Sequence, residues 1–229
     1  MKLKLIAFVI IALTLSQSLY CMDANQKLMS AIENNDLALA KEAIDEGADP
    51  NYDLTSIGDR AMGLSDPGAP LRKAIQNLDM IRFLIQSKAN INLKGMNYTP
   101  LIAAIGIPNP QQRKEIVDLL IELGADVNLS SWHTTPLMEA VNYGKIDIVA
   151  TLLEHGANPY GKRPRPDIRE LPNTAMQAAR KRYQEERDPD QKRIYKNIMD
   201  LLEASMKKPI PKKPVITKEP ELKEDEETL

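Results

Sequence analysis

An all-α solenoid of about five stacked helix–turn–helix units, joined by β-hairpin-like turns, is the fold predicted for this 229-residue chain. Three observations predict it. Four short phrases recur: Gly47-Ala48-Asp49-Pro50-Asn51, Lys88-Ala89-Asn90-Ile91-Asn92, Gly124-Ala125-Asp126-Val127-Asn128 and Gly156-Ala157-Asn158-Pro159. A second phrase precedes them, strongly as Thr99-Pro100-Leu101 and Thr135-Pro136-Leu137, weakly as Ala69-Pro70-Leu71 and Thr174-Ala175-Met176. Between the two phrases the apolar residues follow helical spacing. A unit of this size cannot bury its own apolar face, so repetition implies stacking, and stacks expose extended surfaces.

Each element follows from local chemistry. Thr is a good N-cap, and Pro at the first helical position gives up only an amide that has no intrahelical partner. Small residues on the first helices, Ala31, Ala74, Ala103 with Ala104, Ala140, and Ala178 with Ala179, let neighbouring helices approach closely. The second helices carry broad apolar stripes at Met80–Ile85, Ile116–Ile121 and Ile148–Leu153. The Gly that follows suits the left-handed residue ending a helix. Lys88 stands in that place once, at an expected strain of about 1–2 kcal/mol.

These motifs resemble ankyrin repeats, whose pattern of roughly 33 residues is a turn plus two antiparallel helices opening on Thr-Pro-Leu-His. Thr135 to Asn158, TPLMEAVNYGKIDIVATLLEHGAN, is similar to that pattern without a gap. Units begin near Gln26, Ala69, Thr99, Thr135 and Thr174, and the array is placed at 26–205. The His after Leu is absent throughout, replaced by Met29, Arg72, Ile102, Met138 and Gln177. Without its hydrogen bonds the turns are expected to be held less tightly. Unit three gains residues at Ile107-Pro108-Asn109-Pro110, and unit five is expected to contain a long charged excursion from Lys181 to Arg193.

The ends differ in character. Lys2 and Lys4 precede the apolar run Leu5–Leu13, the pattern of a signal peptide over 1–21 with cleavage after Ser18 or Cys21. An uncleaved N-terminal anchor, or a lipid-modified Cys21, stays open beside it. Cys21 is the only cysteine, so no internal disulfide forms. Residues 206–229, rich in Pro, Lys and Glu, have too little apolar surface to pack and read as a solvated tail.

Chemistry is sparse. The net charge is −2 and no basic stripe runs along the repeats, which argues against a nucleic-acid partner. Lys162-Arg163-Pro164-Arg165 and Arg180-Lys181-Arg182 form the densest positive region. His133 and His155 lack metal spacing, and no phosphate loop or nucleophile elbow is present, so neither cofactor, metal nor catalysis is expected.

What remains is binding. The resemblance implies that turn tips and first-helix ends contact another protein. Carried onto this sequence, those positions are Met96 and Tyr98, then Ser131, Trp132 and Thr134, with Gln76, Asn77, Asn142 and Tyr143 at first-helix ends. Trp132, the only Trp, either anchors a partner or folds back over the neighbouring turn. The expected function is an exported, monomeric protein-interaction module, secreted or periplasmic. An exported protein of this family resembles a bacterial product meeting a host or envelope protein. The rival is a membrane-tethered spacer of the envelope with no dedicated ligand.

Overall fold

A computed structural model of the chain describes residues 24–52, 70–94, 98–162 and 172–208. The N-terminal apolar segment, Cys21, Met96, residues 53–69, residues 163–171 and the tail from residue 209 lie outside the described residues. Among the described residues there are ten helices and no strand. They are α1 (24–33), α2 (Leu37–Asp45), α3 (Pro70–Lys73), α4 (Leu78–Gln86), α5 (Pro100–Ile105), α6 (Pro110–Glu122), α7 (Pro136–Asn142), α8 (Ile146–Glu154), α9 (Ala175–Glu185) and α10 (Pro189–Met206). In chain order they form five successive pairs. The chain divides into two compact bodies, Met1–Ile107 and Pro108–Leu229. The boundary falls within the proline-bearing insertion of repeat three.

Side-chain caps explain where the helices start. Thr99, Thr135 and Thr174 accept the amides of Ile102, Met138 and Gln177 at 3.3, 3.2 and 3.3 Å. At four other helices Asp or Asn does the same: Asp36 caps α2, Asn77 caps α4, Asn109 caps α6 and Asp188 caps α10, whereas α8 follows Lys145 with no side-chain cap. The pair Asp188-Pro189 changes one expectation. The charged stretch from Lys181 to Arg193 is mostly helix, completing α9 to Glu185 and opening α10 at Pro189. Its Lys, Arg, Gln and Glu side chains are good helix formers, and only the short cap between the two helices breaks the pattern.

The Gly-Ala phrases are helix stops of one design. Gly47, Gly124 and Gly156 have φ of +96, +97 and +87°, and Lys88 takes +68° in the same place. The following alanine amide reaches back across the last turn: Ala48 to Ala43 O, Ala89 to Leu84 O, Ala125 to Leu120 O and Ala157 to Leu152 O, at 2.8–2.9 Å. All four alanine side chains are buried, which is why a small residue recurs there. Lys88→Gly removes side-chain strain from the left-handed position and should raise stability by about 1 kcal/mol. A lower denaturation midpoint for this variant would contradict that account.

The Asn of the same phrase ties one turn to the next. Asn51 Nδ2 donates to Lys88 O at 3.1 Å while its Oδ1 accepts the Asn90 amide at 2.6 Å. Asn128 repeats this on Gly156 O at 3.0 Å and the Asn158 amide at 2.7 Å. Within each phrase, Asp49, Asn90, Asp126 and Asn158 accept the amide two residues on, which holds the turn in place. Asn25, at the start of α1, accepts the Asp49 amide at 2.7 Å and so supplies a rung before the first phrase. At the other end Tyr160 replaces the Asn, and its hydroxyl donates to Met206 O at the end of α10. Asn128→Ala should cost about 1–3 kcal/mol, the sum of two modest net hydrogen bonds. An unchanged urea midpoint would mean that solvent replaces both.

The core is aliphatic. In the N-terminal body Leu28, Leu71, Met80, Ile81, Leu84, Leu101, Ile102 and Ile105 are fully buried, and α3 packs on α4 and α5. In the C-terminal body Ile116, Leu120, Ile148 and Leu152 are fully buried, joined by Ile198 and Leu202. There the first helices α7 and α9 pack together, as do the second helices α6, α8 and α10 in succession. The positions replacing the family His are also used for packing: Met29, Ile102 and Met138 are buried. Buried polar residues, Arg113 among them, interrupt the apolar pattern. Arg113 on α6 lies 4.0 Å from Asp147 in the first turn of α8, and its guanidinium donates to Pro108 O at 3.4 Å.

Candidate protein-interaction surface

The turn before α7 is built around one hydroxyl. Ser131 N donates to Thr134 O at 3.0 Å, and Ser131 Oγ accepts the amides of His133 and Thr134 at 3.4 and 3.3 Å. These bonds close a tight turn whose two central residues are Trp132 and His133. Trp132 is 51% exposed, whereas Ser131 is 2% and Thr134 8% exposed. Ser131 and Thr134, expected at the contact surface, are therefore withdrawn from it. The Ser131 hydroxyl satisfies the turn that presents Trp132, a role the family His was expected to leave empty, and the Thr134 hydroxyl donates to Thr135 O at 3.3 Å.

Behind the turn, α7 is buried along nearly its whole length, including Glu139. Both the Thr134 and the Tyr143 hydroxyl are in hydrogen-bonding position to the Glu139 carboxyl, and Thr134 Oγ1 also donates to Thr135 O at 3.3 Å. Burial raises the Glu139 pKa, and those two hydroxyls oppose the rise by favouring the carboxylate. Tyr143 is the C-cap residue of α7 and is 49% exposed, while Asn142 before it is half-buried. Seven helical residues span about 10 Å, so the turn tip and Tyr143 stand at opposite ends of one short helix with Glu139 between them. Glu139 escaped the sequence reading. Its signal was a single acid inside the otherwise apolar Pro136-Leu137-Met138-Glu139-Ala140-Val141.

In the N-terminal body, Tyr98 is 40% exposed directly before the Thr99 cap, and Gln76 is exposed. Asn77 is committed to structure: its Oδ1 caps α4 and its Nδ2 donates to Asn35 Oδ1 at 3.3 Å. Met96 lies outside the described residues. Tyr160, not singled out from sequence, is a further exposed aromatic, its hydroxyl engaged with Met206 as above.

An open cleft of about 290 Å³ lies between the phrases of repeats three and four, and among its described lining residues Lys162 alone is ionisable. Among the described residues, no group of three or more potential metal ligands gathers and no helix is long and apolar enough to cross a membrane.

A family model of ankyrin repeats in three copies matches residues 28–131 and 111–163, more than half of the chain. The chain belongs to the ankyrin-repeat family, and each of its bodies is a stretch of all-α ankyrin fold. No curated protein relative matches it. Ankyrin repeats mediate protein–protein interaction, so this chain is a protein-interaction module. Beyond residue 163, α9 and α10 form a further packed helix pair.

Proposed function

We propose that this chain is an exported adaptor that binds another protein, a host or envelope component, through repeat four. The observation that carries the reading is the half-exposed Trp132 held at the tip of a turn whose backbone is closed by Ser131. A large aromatic on a preorganised turn loses little conformational freedom on binding and suits an interface anchor. Tyr143, at the far end of α7, supplies a second exposed ring. The test is affinity capture with the purified array beside its Trp132→Ala variant. Specific capture that depends on Trp132 supports the reading, and capture insensitive to it places the binding surface elsewhere.

Export rests on Lys2, Lys4 and the apolar run Leu5–Leu13. Ala24 and Asn25 are buried, and Asn25 supplies the first rung to Asp49, so processing compatible with the fold leaves Ala24 in place. Cleavage after Ser18 or Cys21 meets that condition. Replacing Ile10 and Ile11 by Asp should retain the protein in the cytosol, measured by fractionation. An unchanged extracytoplasmic fraction would sink the export claim. Sequencing the mature N-terminus separates a cleaved product from an anchored one.

A further inference from the structure

We infer that the cleft between the phrases of repeats three and four is a binding site for an acidic peptide segment, and that its occupant is the chain's own run Glu224-Asp225-Glu226-Glu227. The inference goes beyond the adaptor reading and does not depend on it, since site and ligand belong to one chain.

The cleft, of about 290 Å³, joins an apolar floor to a donor-bearing rim. Val127 and Leu137 line it and are buried. Ser130 and Thr135 bring hydroxyls, and Lys162 brings an ammonium. Thr135 Oγ1 accepts the Met138 amide at 3.2 Å, and a hydroxyl that accepts one bond still carries a donor hydrogen. Lys162 is exposed, and its backbone is bridged to Thr174, the N-cap of α9, so the charge stands on a tied stretch of chain. Sequence adds to the positive sign: residues 162–170 hold four cations, Lys162, Arg163, Arg165 and Arg169, against two acids. Carboxylates only accept hydrogen bonds, so they match hydroxyl and ammonium donors.

Tyr160 fixes where the C-terminal tail leaves the fold. Its hydroxyl donates to Met206 O at 2.9 Å, and it directly precedes Gly161, which lines the cleft. The root of the tail is therefore held one tyrosine side chain from the cleft rim. About 18 residues separate Met206 from Glu224, a reach of up to about 60 Å when extended, so length does not prevent return. The order of charge decides which part returns. Lys207, Lys208, Lys212 and Lys213 come first and meet Lys162 as like charges, whereas the four consecutive acids follow after enough chain to fold back. A tether of this kind holds its ligand at an effective concentration in the millimolar range, so even a weak contact is populated.

The test compares amide NMR spectra of the full chain and of a tail-neutralised variant, Glu224→Gln with Asp225→Asn, Glu226→Gln and Glu227→Gln. The Ser130, Gly161 and Lys162 resonances should differ between the two at low salt. Salt at about 0.5 M should erase the difference, because contacts between exposed charges are screened. The probe peptide Glu-Pro-Glu-Leu-Lys-Glu-Asp-Glu-Glu should move the same resonances of the neutralised variant saturably. It should bind the unaltered chain at least threefold more weakly, because the tail competes. In a Lys162→Glu background, neutralising the tail should change nothing further. Identical resonances in the two chains, a difference that survives salt or Lys162→Glu, or no response of the neutralised variant to the peptide overturns the proposal. Equal peptide binding by both chains also overturns it, and assigns the cleft to acidic segments of other proteins. If Lys162→Glu does not fold, the tail comparison and the peptide competition still decide. None of these outcomes bears on Trp132-dependent capture, so the adaptor reading stands or falls separately.

Discussion

Leu152→Ala is expected to destabilise the protein by about 2–5 kcal/mol, and Leu120→Ala by a similar amount. Both side chains are fully buried, on the second helices α8 and α6, which pack against each other in the C-terminal body. Each deletion removes apolar area from the core and leaves a cavity that flanking helices close only in part. Each leucine also provides the carbonyl that accepts the helix-stop amide, Ala157 for Leu152 and Ala125 for Leu120. That backbone bond survives the substitution, so the loss reports packing alone. Glu122→Ala, on an exposed site of α6, should stay within about 0.5 kcal/mol. Chemical denaturation distinguishes the three. Equal effects would place the leucines outside the inter-repeat core.

Trp132→Ala is expected to weaken partner capture by at least about 2 kcal/mol, roughly thirty-fold, the size of an interface hot spot. Its effect on folding should be far smaller, because half the side chain is in solvent and the turn backbone is closed by Ser131 and Thr134. Ser131→Ala provides the complementary result. It leaves Trp132 in place but removes the acceptor for two turn amides, so capture should weaken through loss of preorganisation. Should Trp132→Ala instead unfold the array, the indole is a cap on the core and not an anchor.

The sequence by itself determined the fold class, because the repeat is written in residues whose roles are local. Thr before Pro caps a helix through its own oxygen, Gly before Ala stops one through its own φ, and the apolar period fixes which stripe is buried. These signals act within a few residues, and every strong copy of them forms the element it predicts. Even the departure at Lys88 was legible, since only a left-handed φ fits the Gly position it occupies. The limits show where composition outweighed a local signal. The run from Lys181 to Arg193 looked like an excursion because it is charged, yet Asp188-Pro189 is a helix start, and strong helix formers on either side complete α9 and α10.

What only the tertiary structure decided is how polar groups are shared between segments far apart in the chain. Ser131, Thr134 and Asn77 have the composition of contact residues, and periodicity cannot tell an exposed hydroxyl from one spent on a turn. Asn51 and Asn128 each bond a backbone more than twenty-five residues away, and Asn25 and Tyr160 supply bonds of the same kind at the two ends. Glu139 is a case of another kind, decided by burial and not by a distant partner. In sequence it is one more surface acid, and in the fold it is a buried carboxyl within reach of the Thr134 and Tyr143 hydroxyls. Helix caps and stops depend on neighbours along the chain, and so the sequence displays them. The burial of a charge depends on which repeats come to lie side by side, and only the packed molecule sets that.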